Sequence, residues 1–363
     1  MSISHLTVQG LRNLQDVDMV PGAGVNIITG ANASGKTSLL EAIHMLALAR
    51  SFRSHRLASV ITAGQSACQL FARISTSSGG SVPLGMSRRL DGEHQIRLNG
   101  ETLRSTSELA MLLPVQVIAP ASGGLLDASP GVRRQFLDWG VFHYDERFYG
   151  LWKQAQRLLK QRNTSLKCGT MDASVRTSFD PGLVRVAEQL DELRTAYLAV
   201  LEPLFLASLE RIVNIPDLSL GYYRGWSKDN SLADVLQESL HRDQQLGYTQ
   251  RGPQRADLRF TVAGVSAVER LSRGQQKLVT IALRLAQGEL LGKRDQRRCL
   301  FLVDDLAAEL DTQHLSQVCE QLVAMHSQVF VTAVNANELA DVWPANATLA
   351  RFTIEQGRIT AVE

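Results

Sequence analysis

Gly30-Ala31-Asn32-Ala33-Ser34-Gly35-Lys36-Thr37 reads G-x-x-x-x-G-K-[ST] without a mismatch. Its glycines let the backbone curl until successive N–H groups face one point, and the following helix aims its positive end there. Such a loop cradles phosphate. Lys36 can then reach the β- and γ-phosphates of a nucleotide, while the Thr37 hydroxyl is a ligand for Mg²⁺. Upstream, Val25–Thr29 is a short apolar run ending at Gly30, as a buried parallel strand requires. Downstream, residues 36–49 combine helical spacing with strong helix formers. Strand, loop and helix in this order predict an α/β domain whose ligand is ATP with Mg²⁺.

A second stretch supplies carboxylates. In Cys299-Leu300-Phe301-Leu302-Val303-Asp304-Asp305 an apolar strand runs into two acids. In phosphate-loop enzymes the first acid helps hold Mg²⁺, here Asp304, and a neighbouring one orients or deprotonates the attacking water, here Asp305. Just before that strand, Leu271-Ser272-Arg273-Gly274-Gln275-Gln276-Lys277 opens a helix. Ser272 and the free N–H groups of that helix start form a second anion-binding end, with a plain N-cap as the alternative. Ala308-Glu309-Leu310-Asp311 follows the acidic strand.

Bulk properties set wide bounds. The 363 residues suffice for two or three domains, and 44% apolar with 20% charged residues is ordinary for a folded chain. A net charge of +2 neither demands nor excludes nucleic acid. Cysteines 68, 168, 299 and 319 form no C-x-x-C pair, which argues against zinc and a disulfide framework and for reduced thiols in the cytoplasm. No secretory signal is read in MSISHLTVQGL, and no apolar run approaches a membrane span.

Along the chain, Ile3–Val8 alternates as a strand, and segments from 68 to 98 read as antiparallel hairpins. Their turns are expected at Ser77-Ser78-Gly79-Gly80 and Asp91-Gly92. From about Val132 to Thr249 the pattern is mainly helical. Leu183, Val186, Leu190, Leu193, Tyr197, Val200 and Leu204 step by three and four as in a helix–helix seam, and Pro203 is expected to kink or end that helix. Leu218, Leu220 and Tyr222 alternate as a brief strand, and Ser231 with Asp234 reads as a helix start. From Leu258 the α/β style returns, with strands at Cys299–Val303 and Val329–Val334 and a hairpin around Gly357. The expected organisation is one discontinuous head, residues 1–122 and 251–363, interrupted by a mainly helical arm at 123–250.

The ordered set of phosphate loop, L-S-x-G-Q signature, acidic strand and loop ending in Asp311 resembles the ABC ATPase superfamily. There the signature of one subunit closes over ATP held by the other, which implies a role across a dimer for Ser272, Arg273, Gly274, Gln275 and Asp311. Leu11-Arg12-Asn13-Leu14 is similar to the Phe-Arg-Asn opening of the SMC-like repair ATPases. Several further segments narrow the resemblance to the RecF family: Ala49-Arg50-Ser51-Phe52-Arg53-Ser54, Pro114-Val115-Gln116, residues 129–139 and Gly252-Pro253-Gln254-Arg255-Ala256-Asp257. Two departures are Leu11 for Phe and Gln254 for the usual His.

The resemblance implies a mixed-sheet ABC-type head with an inserted helical arm. It also implies a weak ATPase that pairs with a second copy on ATP and binds DNA at single-strand gaps, helping RecO and RecR to load RecA. By the same resemblance Arg12, Asn13 and Ser38 join residues 30–37 at the nucleotide, and Gln116 joins Thr37 and Asp304 at the metal. Lys36 and Asp305 carry catalysis. Basic residues Arg50, Arg53 and Arg56, with Lys153, Arg157 and Lys160, are candidate phosphate contacts. Between Leu151 and Thr170 lie five basic residues, Arg162 and Lys167 included, and no acid. Rival readings are a transporter ATPase subunit, a small-molecule phosphotransferase and a DNA-end binder with vestigial ATPase. The Arg12-Asn13 opening, the signature and the intact Lys36 with both carboxylates count against them in turn.

Overall fold

The computed structural model describes the chain apart from residues 1, 55, 57, 58, 77, 78, 104, 120–123, 170–172, 296, 340 and 363, and apart from the side chains of 173–178 and 295. It divides into two units: Met1–Gly123 with Ser208–Val213 and Ile281–Glu363, and Gly124–Ala207 with Asn214–Thr280. The expected turn residues Ser77 and Ser78 and the 122/123 junction lie outside the described residues.

The first unit holds two six-stranded sheets. One is antiparallel, in the order β2 (Leu14–Met19), β1 (Ser2–Leu11), β4 (Ala67–Ser75), β5 (Ser81–Arg89), β6 (His94–Leu98), β7 (Glu101–Thr102). Its expected turn at Asp91-Gly92 forms, with Asp91 accepting from the Glu93 N–H at 3.0 Å. The other sheet runs β15 (Arg358–Val362), β14 (Leu349–Glu355), β3 (Val25–Thr29), β13 (Val329–Ala333), β12 (Leu300–Val303), β8 (Val115–Ile118), parallel except for β15. α1 (Lys36–Leu48) is buried around almost its whole circumference, so its apolar residues carry no amphipathic stripe. Leu39, Leu40, Ile43 and Leu46 join the core that also takes in β1, β4, β12 and β14, each contributing about 1.5–3 kcal/mol. α2 (Thr106–Leu112), α10 (Thr312–Ala324), the end of α5 (Ala173–Ile212) and the C-terminal part of α9 (Arg273–Asp295) complete the unit. α9 lies close on β12 at Gly288, where an added Cβ would stand 2.4 Å from the Phe301 ring.

The second unit contains α3 (Pro130–Tyr144), α4 (Arg147–Lys167), most of α5 (Ala173–Ile212), α6 (Leu232–Glu238), α7 (Leu240–Leu246), α8 (Ala267–Arg270) and the start of α9. Ser231 caps α6 by accepting from the Asp234 N–H, as expected. Pro203 does not end α5. The carbonyl it frees, at Ala199, lies on an exposed face where water can satisfy it. The buried stripe also departs from strict heptads after Tyr197. It continues through Leu201, Phe205 and Leu209, while Val200 is exposed, because a straight helix repeats every 3.6 residues.

The same unit claims residues 251–280, which the sequence pattern assigns to the C-terminal lobe. β10 (Asp257–Val262) pairs with β9 (Leu218–Tyr223) from Asp257 opposite Tyr223 to Val262 opposite Leu218, and β11 (Val265–Ser266) completes a three-stranded sheet. The strand at Leu258 therefore extends the inserted segment's own sheet, and its hydrogen bonds tie the signature region to that unit.

Candidate functional site

The phosphate loop joins the end of β3 to α1. Gly35, at φ 124° before the first helical turn, is a position only glycine suits, since a Cβ would also meet Leu14 at 2.7 Å. Ala31, Asn32 and Ala33 are exposed at the tip. The N–H groups of Lys36, Thr37 and Ser38 have no intrahelical acceptor and remain as donors. Lys36 Nζ folds back on the loop, donating to the carbonyls of Gly30 at 2.6 Å and Ala31 at 3.0 Å.

Three braces hold the loop. Asn13 Nδ2 donates to the Ala33 carbonyl at 2.8 Å while its Oδ1 accepts from Ser38 Oγ at 2.9 Å. From the β14–β15 turn, the Gly357 N–H donates to the Ser34 carbonyl at 3.1 Å. Gly357 has φ 76°, and a Cβ there would lie 2.0 Å from the Asn13 carbonyl oxygen, so this close approach again requires glycine. The third brace is Arg12, which grips Glu41 through Nε at 2.9 Å and Nη2 at 2.8 Å.

Several residues expected at the ligand have protein partners of their own. Arg12 is committed to Glu41, with Nη1 on the Ser59 carbonyl, because a fully buried carboxylate needs a counter-charge. Both polar ends of Asn13 and the Ser38 hydroxyl bond to each other and to the loop. Gln116 does not reach the acids. It pairs with Phe301 on β12, whereas the Asp304 N–H donates to the Ile118 carbonyl. Gln116 is three residues before the level of Asp304, hence on the opposite face and roughly 10 Å away. Its amide is held by Arg284 at 3.0 Å and Gln287 at 2.9 Å. Burial pushes Arg284 down to about 10, still cationic at neutral pH.

Strand order brings the acids to the loop. β13 lies between β3 and β12, and its Thr332 hydroxyl donates to Asp304 Oδ1 at 2.8 Å while accepting from the Asp305 N–H at 2.9 Å. Thr37 Oγ1 lies 3.0 Å from both carboxylate oxygens of Asp304. Burial raises the Asp304 carboxyl above the usual range, the Thr332 and Thr37 hydrogen bonds oppose it, and Asp305 adds to it. Asp305 itself has φ 49°, a left-handed conformation that Asp and Asn tolerate better than most residues. Its Oδ1 and the Ser34 hydroxyl are buried with no hydrogen-bond partner among the described residues.

The signature segment lies in the second unit. Ser272 Oγ accepts from the Gln275 N–H at 3.2 Å, and Gln275 Oε1 accepts from the Ser272 N–H at 3.0 Å, a reciprocal capping box. Gly274 faces open space, with Ser272 Oγ 3.9 Å from a notional Cβ, and Arg273 pairs with Asp127 at 2.7 Å. Asp311, in the first unit, caps α10 by accepting from the His314 N–H, a bond that lowers its pKa. Among the basic residues, Arg50, Arg53, Arg56, Lys153, Arg157 and Lys160 are exposed or half-exposed. Arg162 leaves that group. It is fully buried against Asp180 at 2.9 Å and Asp243 at 2.8 Å.

The sequence model described as RecF/RecN/SMC N terminal domain matches residues 2–360. The DNA replication and repair protein RecF of Pseudomonas fluorescens is 48% identical over 360 residues, 99% of this chain and 98% of that relative. The chain belongs to the RecF family. RecF of Pseudomonas savastanoi pv. phaseolicola matches at the same identity and coverage. A solved structure of the recombination mediator protein RecF with ATP, in the RecFOR pathway, superposes with TM-score 0.87 at 24% identity, covering 99% of this chain and 97% of that one. An Smc head bound to the C-winged helix domain of ScpA gives TM-score 0.60 at 17% identity, covering 100% and 97%. The fold is thus the mixed α/β head of the RecF and Smc ABC ATPases.

In this RecF family member, sequence pattern alone does not single out Glu41, Thr332 or the Gly357 N–H. Glu41 left one signal, a lone acid within the apolar run of α1. Thr332 reads as an ordinary β-branched strand residue, and the Gly357 contact depends wholly on the hairpin's placement.

Proposed function

We propose that the chain binds ATP with Mg²⁺ at residues 30–37 and hydrolyses it slowly between two paired copies, using the cycle to hold DNA. The observation that carries this reading is the Thr37 hydroxyl standing 3.0 Å from Asp304, 267 residues away in sequence. The residues suit Mg²⁺: Thr37, Asp304 and the unpartnered Asp305 Oδ1 offer only oxygen donors, as a hard cation prefers. When bound, Mg²⁺ neutralises phosphate charge. Lys36 exchanges the Gly30 and Ala31 carbonyls for phosphate oxygens, and the first-turn N–H groups of α1 take further oxygens. Asp305 orients the attacking water and accepts its proton. Ser272 and Gly274 of the second copy close over the γ-phosphate, with Asp311 beside the pairing surface.

Hydrolysis is slow on this reading because Asp305 is one methylene shorter than Glu, and a misplacement near 1 Å costs on the order of 10²-fold. The family supports DNA replication and repair as the setting, and the RecFOR pathway of the solved relative supports RecO and RecR as partners in loading RecA at gaps. Among the described residues no helix is long and apolar enough to cross a membrane. The test is sedimentation with Mg²⁺-ATP, with and without a gapped duplex, beside Lys36→Arg and Ser272→Arg. Pairing and DNA retention that need ATP and fail in both variants are expected. A chain that stays monomeric with ATP overturns the clamp.

A further inference from the structure

The Gly252–Asp257 segment takes no part in the nucleotide site. In the second unit it walls an open cavity of about 620 Å³ into which five arginines converge: Arg134, Arg242, Arg251, Arg255 and Arg259. The lining carries one carboxylate, Asp257, and Arg133 already holds it through two bonds of 2.7 and 2.8 Å. Among the described residues none of the five arginines is ion-paired. No direct ion pair therefore neutralises their positive charge.

The surrounding bonds fix this arrangement. The carbonyl of Pro253 accepts from Arg194 at 3.0 Å, that of Ala256 from Arg134 at 3.0 Å, and those of Thr249 and Arg251 from the Gln254 amide at 3.1 Å each. Gln254 thus pins the loop from inside. The outward guanidiniums rest on rings: Arg259 lies 4.8 Å from the Tyr223 centroid and Arg255 5.7 Å from that of Tyr248, while Arg251 donates to the Tyr223 hydroxyl at 3.2 Å. Side chains held this way lose less entropy on binding. Burial also holds Arg134 below the usual arginine value against the pull of Asp138, with Arg194 and Arg255 lowering it further. A bound anion relieves that crowding.

We propose that this cavity is a phosphate-binding surface that grips the backbone of duplex nucleic acid, deepening the DNA reading above, on which it rests. Guanidinium forks suit phosphate, and a duplex presents one charge per about 1.7 Å of axis. An acidic peptide offers charge less densely and needs apolar anchors, and the cavity's charged lining centres on arginine instead. Single strands are held largely by stacking on free aromatic faces. Here Tyr223 and Tyr248 already carry guanidiniums, so phosphates are read and bases are not.

The experiment measures binding of a fluorescent blunt duplex against salt for the full chain and for Arg251→Ala/Arg255→Ala/Arg259→Ala. All three side chains are exposed, and Arg133, Arg134, Arg194 and Gln254 are left to hold the loop. The triple variant is expected to bind more weakly, with its log–log salt slope shallower by about 2.7, while ATP-dependent pairing in sedimentation is unchanged. The corresponding triple Lys variant keeps the charges and should keep the slope. Equal affinity and slope in wild type and the Ala variant, with ATP-dependent retention intact, would overturn the cavity and leave the clamp standing. Binding that the Ala variant loses but that needs neither ATP nor pairing supports the cavity and overturns the clamp. A wild-type chain that ignores duplex DNA at low salt overturns both.

Discussion

The phosphate loop and the signature segment are both helix starts, yet they are built differently. The loop is braced within its own unit by Asn13, by the Gly357 N–H and, through Glu41, by Arg12, and Lys36 and Gly35 are buried. Ser272, Arg273 and Gly274 are exposed, and the capping box with Gln275 is satisfied within four residues. One helix start is preorganised for a ligand by tertiary structure. The other is exposed and satisfies its own cap. That contrast suits two half-sites that become whole between molecules.

The largest expected effects separate the two halves. Lys36→Arg should abolish nucleotide-dependent hydrolysis, and Ser272→Arg should do the same while leaving ATP binding to the single chain intact, both read by equilibrium binding and phosphate release. Mixing the two inactive variants restores one complete pairing of loop and signature, so hydrolysis should return. No recovery in the mixture would show that the halves do not combine across copies. Next, Asp305→Asn should lower turnover on the order of 10²-fold without loss of ATP-induced pairing. Asn also tolerates the left-handed φ of 49°, so its melting temperature should stay close to wild type.

The braces come after the chemistry. Glu41→Gln strips the carboxylate that Arg12 grips and that Ser51 and Arg53 also approach. Leaving those cations without it should cost about 3 kcal/mol or more, measured by urea unfolding. A pH series sharpens the same region. His44, whose Nδ1 hydrogen-bonds the Arg50 carbonyl at 2.8 Å, is held at about 4 by burial, against 6.5 when unfolded. The unfolded chain takes up a proton between those values that the native chain refuses. Stability linked to His44 is therefore complete above about pH 6.5 and declines as pH falls toward 4, by at most about 3 kcal/mol. His44→Asn keeps a donor and cannot titrate, so it should flatten that part of the stability profile. The smallest effect on folding belongs to the self-contained half: Ser272→Ala removes a cap and should cost about 1 kcal/mol of stability in urea unfolding, leaving the phosphate loop unchanged.

The features legible in the residues alone are local. Residues 30–37, the acidic strand end and the Ser272 helix start each lie within a few consecutive positions, so backbone geometry and side-chain chemistry could be read without knowing any distant neighbour. The α/β head, the helical insertion and the hairpin at Gly357 followed from periodicity and turn residues for the same reason. Partnerships between residues far apart in the chain emerged only once it was folded. Periodicity places Leu258 on a strand but cannot choose its sheet; hydrogen bonding to β9 did that. The family resemblance places Gln116 at the metal, but register and alternation turned its side chain away from Asp304. Burial converted Arg12 into a counter-ion and Arg162 into the centre of a buried pair, because a charge removed from water must find its opposite wherever the fold brings one near.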